Sequence, residues 1–344
     1  MRSNSLSVIT LDSDMIKPTN RILVTGAGGY IGSVVARRLS DMGYDVFAID
    51  NFERGHRMFV DGRVKLHEGD IRDKETVMRV FSEVQPHAVF HFAAYALVGE
   101  SMSNPALYFE NNVSGGINIL SAMGSVGCAR IIFSSSCATY GVPQNLPIEE
   151  CMVQNPTNPY GHSKLMFEEI CGWMSSLKGL RPTFLRYFNA AGAVPEWGIG
   201  EVHNPETHII PNVLKIAAEQ NGAVAIFGGD YPTPDGTCIR DSVHLKDLCE
   251  AHVLALEKNC LGAYNLGTGN GISVMQIVEA CRKITGRPIP VKICPRRPGD
   301  PPALYASGEK ARREMGWIPR FSDVETIVRD AWSFMCQKLA DGVV

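Results

Sequence analysis

Between Arg21 and Gly43 the chain passes from an unbroken apolar run, through a cluster of glycines, into a helical pattern. Arg21-Ile22-Leu23-Val24-Thr25 lacks the polar alternation of a half-exposed strand and reads as a short buried parallel strand. Ser33 to Met42 has helical spacing and stops at Gly43. The glycines between them fall as Gly26-x-x-Gly29-x-x-Gly32, with an extra Gly28, rather than as the strict G-x-G-x-x-G. Glycines in this place make a tight turn, let a pyrophosphate approach the backbone, and let the helix pack closely on the strand. The helix start then offers free N–H groups to the anion.

The following segments fit the same plan. Asp45-Val46-Phe47-Ala48-Ile49 is a second strand, with Asp50 at its end. An acid there holds the adenosine ribose hydroxyls and repels a 2′-phosphate, which favours NAD over NADP. The competing reading of Asp50 is a turn or helix-capping residue. Val64 to His67 is a third strand, ending in Gly69-Asp70-Ile71, and Lys74 to Val84 is helical. Ala88 to Phe92 is a fourth strand, in which His91 reads as a packed residue. Ala93 and Ala94 behind it are small enough to let a cofactor pass. A helix covers about 105–123, and Ile131-Ile132-Phe133 is a fifth strand ending in Ser134-Ser135-Ser136. Another helix runs to about Ser176, and Pro182 to Tyr187 is a sixth strand. Alternating strands and helices with short links predict an α/β fold with a doubly wound parallel (Rossmann) sheet. Ligands bind such sheets beyond the carboxyl ends of the strands. The glycine loop, Asp50, Asp70, Ala93, Ser136 and Phe188-Asn189 all fall at such ends.

The helix before the sixth strand opens with Asn158-Pro159-Tyr160-Gly161-His162-Ser163-Lys164. Asn158 suits the N-cap and Pro159 the first helical position. Tyr160 and Lys164, four apart, lie on one face. A nearby ammonium lowers a phenol's pKa from about 10 and makes it a usable general base. The spacing is common in helices, so the pair gains meaning only from its setting.

Beyond residue 190 the chain is richer in Gly, Pro and polar residues, with helical stretches at about 210–219, 245–256 and 274–283. Strand-like segments lie at 225–227 and 263–266, and 296–300 reads as a loop. The expected division is a polar N-terminal extension over 1–20, a Rossmann domain over 21–190, and a substrate lobe over 191–344 with some segments returning to the sheet. Arg240 and Arg297 suit a phosphate clamp, or equally an ordinary charged surface. Net charge is −3, with no basic field for nucleic acid. No stretch reaches the ~18 apolar residues of a membrane span. Ten cysteines are scattered with no Cys-x-x-Cys pair, which argues against a metal site or a disulfide scaffold and fits a reducing, cytoplasmic setting.

Five segments together resemble the extended short-chain dehydrogenase/reductases: Val24 to Gly32, His91 to Ala94, Ser134 to Ser136, Tyr160 to Lys164, and Arg186 to Asn189. Ala225-Ile226-Phe227-Gly228, Asp230 to Thr233, Asp235-Gly236-Thr237 and Arg240-Asp241 narrow the likeness to the UDP-glucose 4-epimerase branch, over about residues 21–336.

The resemblance implies an NAD-dependent isomerase that interconverts UDP-glucose and UDP-galactose, in galactose or exopolysaccharide metabolism. Tyr160 would act on the sugar 4-hydroxyl, Ser136 would bond O4, and Lys164 would hold the nicotinamide ribose and keep Tyr160 acidic. NAD would meet Gly26, Gly29, Tyr30, Ile31, Gly32, Asp50, Asn51 and on to Gly55, Asp70, Ile71, Phe92, Ala93, Ala94, Asn111, Tyr187 and Phe188, with Ser136, Tyr160 and Lys164 also lining its site. The UDP-sugar would meet Ser136, Tyr160, Asn189, His208, Ala225, Ile226, Phe227, Arg240, Arg297, Asp300 and Leu304. A homodimer would form through the helices at about 105–123 and 160–176.

Some positions depart from the pattern. Many members have Lys at Ala96, Tyr at Ser242, and a sugar-contacting Asn at His208, while Leu304 lies near the position that gates N-acetylated sugars. Residues 93–101 look more like exopolysaccharide and plant UDP-arabinose variants. UDP-arabinose/UDP-xylose and UDP-N-acetylhexosamine 4-epimerases are therefore alternatives. Ser136-Cys137 lacks the Asp-Glu pair with which related dehydratases drive elimination. A catalytically inert NAD-binding regulator is a reading from another class, and the intact Ser136, Tyr160 and Lys164 argue against it.

Overall fold

The computed structural model describes residues 20–297 and 300–341. The expected extension over 1–20 lies outside the described residues except for Asn20, and so does 298–299 of the expected 296–300 loop. In chain order the first half comprises β1 (Arg21–Thr25), α1 (Tyr30–Asp41), β2 (Asp45–Asp50), β3 (Lys65–Glu68), α2 (Lys74–Val84), β4 (Ala88–His91), α3 (Val98–Ser103), α4 (Pro105–Phe109), α5 (Gly116–Ser125), β5 (Arg130–Ser134), α6 (Pro159–Lys178) and β6 (Arg181–Arg186). The second half comprises β7 (Asn189–Ala191), α7 (Ile209–Glu219), β8 (Val224–Phe227), β9 (Ile239–Arg240), β10 (Ser242–His244), α8 (Leu245–Glu257), β11 (Gly262–Asn265), β12 (Ile272–Ser273), α9 (Val274–Thr285), β13 (Val291–Cys294), β14 (Ala303–Leu304), α10 (Glu309–Met315) and α11 (Val324–Ala340).

Seven strands form one all-parallel sheet in the order β11-β6-β5-β4-β1-β2-β3. The chain runs outward from β1 through β2 to β3, then returns to the other side of β1 as β4. The order therefore reverses between β1 and β4, and a crevice opens there at the carboxyl ends. β1, β4 and β5 are apolar along nearly their whole length because helices cover both faces of the sheet. One face packs Val34, Val35 and Leu39 of α1 with Leu248 of α8, and the other packs Val77, Val80 and Phe81 of α2 with Ile119 and Met123 of α5.

The expected helix over 105–123 is interrupted. Residues Glu110–Gly115 form a π-helical turn between α4 and α5, and α3 precedes them as a separate short helix. The extra residue in such a turn places Asn111 and Asn112 in succession in buried positions above the sheet edge. Beyond residue 190, β11 joins the large sheet and α8 packs on α1. The remaining elements build a lobe from the β8–β13 pair, the β12-β9-β14 sheet and helices α7, α9 and α11 around Val213, Leu214, Ile277 and Val328.

Candidate active site

The glycine loop closes on the next strands. The Gly26 N–H donates to the Ile49 carbonyl at 2.9 Å. Gly26 has φ of +76°, and a Cβ on it would lie 2.7 Å from the Ala93 nitrogen, so the position needs glycine. A Cβ on Gly32 would lie 2.1 Å from the Gly26 carbonyl oxygen. These two glycines let the start of α1 sit against the ends of β1 and β4. Helix α1 is capped by Gly29, no side chain bonds its first N–H groups, and its first turn, which contains Tyr30, Ile31 and Gly32, holds no acid. That leaves an anion-binding helix start facing the crevice.

Asp50 supports the loop. Its carboxylate accepts from the N–H groups of Gly28 and Phe52, both at 2.8 Å. The ribose role expected for this acid therefore adds to a structural one. Asn51 donates to Asp70 at 2.9 Å. Burial alone would raise the Asp70 carboxyl, but hydrogen bonds from Arg72 and Asn51 outweigh it and hold it at about 2. Ile71 is buried against Gly115 of the π-helical turn. Phe92, Ala93 and Ala94 are half-buried behind β4, with the Phe92 ring 4.8 Å from that of His252. The Asn111 side chain donates to Asn112 at 3.0 Å, and Asn112 is tied to the Tyr95 main chain and to Ser163. His91 is fully packed, bonds Thr25 at 2.7 Å, and is held neutral down to about pH 3 by burial and then by the charge of Lys164.

Ser136, Tyr160 and Lys164 meet beyond the end of β5. Ser136 is 5% exposed and its hydroxyl accepts from the Ala138 N–H at 3.0 Å. Asn158 caps α6 through the Gly161 N–H at 2.9 Å, which sets Tyr160 in the first turn. Lys164 is 3% exposed, and its Nζ donates to the Ser134 carbonyl at 2.8 Å. It lies 5.9 Å from the centre of the Tyr160 ring. Tyr187 shares a 2.5 Å hydrogen bond with the Ser134 hydroxyl.

Burial raises the Tyr160 pKa above 10, and the hydrogen bond with Ser136, not the charge of Lys164, is what opposes it. Lys164 is itself brought down to about 7 by burial, partly offset by Glu168.

The expected substrate residues are less uniform. Asn189 faces Ser242 across the β7–β10 pair and donates to the Asp241 carbonyl at 2.8 Å. Arg240 pairs directly with Asp300, and Arg297 stacks 4.2 Å above the Phe227 ring. Ala225 and Phe227 are exposed, whereas the Ile226 side chain points into the lobe core and can offer a ligand only its main chain. Leu304 lies opposite Arg240 and packs with Phe188 against Cys137 and Tyr140. His208 caps α7 and lies between Glu201 and Glu206, which raise its pKa to about 10 against the effect of burial.

Two groupings escaped the sequence reading. Arg186 is buried with Glu168, Gln154 and Tyr140, and Ser135 joins them through Glu168. Glu201, His203, Glu206 and His208 also come together, each with a possible metal-ligating atom near the others. Their spacing, Glu-x-His-x-x-Glu-x-His, was the available signal.

The profile of the NAD dependent epimerase/dehydratase family matches residues 22–267. A UDP-glucose 4-epimerase of Lacticaseibacillus casei is 47% identical over 317 residues, which are 91% of this chain and 96% of that one. The crystal structure of UDP-glucose 4-epimerase from Brucella ovis in complex with NAD has a TM-score of 0.88 at 45% identity, covering 91% of this chain and 97% of that one. The UDP-glucose 4-epimerase from Bifidobacterium longum in complex with NAD+ and UDP has a TM-score of 0.86 at 36% identity, covering 93% and 99%.

Proposed function

The chain belongs to the NAD dependent epimerase/dehydratase family, and within it we propose that it interconverts UDP-glucose and UDP-galactose at C4 with bound NAD. The observation that carries this reading is the convergence of Ser136, Tyr160 and Lys164 beside a glycine cradle that a Cβ would fill. The uncapped start of α1 fits a pyrophosphate, and Asp50 fits an unphosphorylated ribose. Asp70, Asn111, Phe92, Tyr187 and Phe188 line the rest of the crevice in this reading.

Bound NAD supplies a reversible hydride acceptor and, when oxidised, a positive charge that favours the phenolate form. Tyr160 takes the proton of the sugar 4-hydroxyl while C4 is oxidised, and returns a proton to the same oxygen once the 4-keto sugar has presented its other face. Ser136 bonds both O4 and the phenol and shortens the proton's path. Lys164 holds the nicotinamide ribose from a site anchored on Ser134. Asn189, Arg240, Arg297 and the main chain of 225–227 grip the UDP, leaving the hexose free to turn.

Elimination chemistry is disfavoured. The residue after Ser136 is Cys137, fully buried, with burial holding its thiol far above the usual range, so it offers no acid or base. We assign residues 21–190 to the cofactor and 191–344 mainly to the sugar nucleotide, with β11 and α8 serving the large sheet. A homodimer is supported by Trp173 and Leu177 of α6, 69% and 71% exposed one turn apart, and by exposed Ile117 of α5. A cytoplasmic setting is supported by ten free cysteines, seven of them buried. Among the described residues no helix is long and apolar enough to cross a membrane. Supplying UDP-galactose to the NAD-loaded protein and following both C4 epimers by proton NMR tests the reading.

A further inference from the structure

The segment between the cofactor crevice and α7 carries a group of side chains that C4 epimerisation does not require. Glu201, His203, Glu206 and His208 each bring one ligand atom to within 4.8 Å of the others. His208 Nδ1 is 2.6 Å from Glu201 Oε1 and 2.9 Å from Glu206 Oε1. His203 Nδ1 is 3.2 Å from the same Glu201 oxygen and 3.9 Å from Glu206 Oε2.

The His203 nitrogen is closed off from solvent, yet its orientation gives it no hydrogen bond among the described residues. A buried polar atom aimed at two carboxylates without a bond is costly unless something between them satisfies it. The Glu201 side chain is 8% exposed, so the centre of the group is shielded from water. The segment is also held in place. The Val202 carbonyl contacts the His56 ring nitrogen at 2.7 Å, and the His203 ring stands edge-on to Tyr30 at 6.2 Å.

Tetrahedral zinc with bonds of about 2.0–2.2 Å spaces its ligand atoms about 3.3–3.5 Å apart. The His203–Glu201 separation is close to that, and the His203–Glu206 separation of 3.9 Å would contract by a few tenths of an ångström. The two His208 separations are hydrogen-bond lengths and would widen when a dication replaces the shared proton. Two imidazoles with two carboxylates suit a borderline transition metal and not Mg2+ or Ca2+, which prefer all-oxygen sites. Charge also balances, since a dication with neutral imidazoles matches two carboxylates.

We propose that Glu201, His203, Glu206 and His208 bind one transition-metal dication of the Zn2+ class, which fixes the 201–208 segment. The metal site stands on its own geometry. Imidazole binds a metal only in its neutral form, so affinity falls as pH is lowered.

The test uses the full-length protein, stripped with a chelator and titrated with Zn2+ by calorimetry and with Co2+ by absorption. The expected result is one ion per chain, binding at least tenfold weaker in both His203→Ala and Glu206→Gln, and a Co2+ spectrum without thiolate charge transfer. Unchanged affinity in both variants, no stoichiometric binding, or a thiolate band pointing to Cys151, Cys294 or Cys336 would overturn the site. A protein that turned over no sugar nucleotide would leave the metal titration equally decisive.

Discussion

Lys164 reaches the carbonyl oxygen of Ser134 at 2.8 Å and lies 5.9 Å from the centre of the Tyr160 ring. The ammonium is thus anchored to the end of β5, and the phenol's hydrogen-bonding neighbour is Ser136. In the proposed function lysine would serve as a post for the cofactor, and serine would tune the tyrosine. Ser136→Ala should therefore raise the Tyr160 pKa and move the ascending, base-dependent limb of the kcat profile to higher pH, with kcat down by about 10²-fold. An unshifted limb would assign the tuning elsewhere.

Asp50 holds the glycine loop by two N–H bonds and is read as the ribose acceptor. Charge-assisted hydrogen bonds are worth about 1.5–3 kcal/mol each. Asp50→Ala should weaken NAD binding by about 10- to 100-fold in a calorimetric titration of stripped protein. Equal affinity would remove Asp50 from the cofactor site.

His91 gives a pH dependence of stability. Unfolded, it binds a proton below about pH 6.5. Folded, it stays neutral to about pH 3. Between those values the unfolded chain holds the extra proton, so stability falls with falling pH by about 1.4 kcal/mol per pH unit from this group. Urea unfolding should show this slope in the wild type and a shallower one in His91→Asn. Identical slopes would contradict a buried neutral imidazole.

Arg186 and Glu168 form a buried pair roofed by Tyr140 and Gln154. Arg186→Met strands a buried carboxylate and should cost about 3–5 kcal/mol of unfolding free energy. Adding Glu168→Gln should recover most of it. No recovery would mean that packing, and not charge, sets the cost.

The Rossmann half was legible in the sequence because its strands are continuous apolar runs separated by glycine and capping signals. β1 and α2 fall where the pattern places them, and Asn158 does cap α6. The second half was harder to read. β9, β12 and β14 span two residues each, too short for any periodicity. The π-helical turn at Glu110–Gly115 preserves an apolar rhythm that reads as one helix. Helix α11 was missed although Asp323 caps it and Ile327 and Val328 anchor it. Residue identity showed which groups could react, but their titration depends on burial, which residue types and spacing alone do not show.

Leu304 packs with Phe188 where the sugar pocket is proposed. Leu304→Ala should open space for an N-acetyl group and raise the ratio of kcat/KM for UDP-N-acetylglucosamine over UDP-glucose at least tenfold, within the range of hydrophobic-pocket discrimination. An unchanged ratio in a competitive assay would place the gate elsewhere.

The most direct measurement is a proton NMR time course of UDP-galactose with the NAD-loaded wild type and with Tyr160→Phe. The wild type should reach the same mixture of UDP-glucose and UDP-galactose from either substrate, with no net consumption of NAD. Tyr160→Phe should keep its NAD and lose at least about 10²-fold in rate. A wild type that leaves C4 unchanged, or a Tyr160→Phe variant with near-normal turnover, would contradict Tyr160 as the acid–base group of a C4 epimerase.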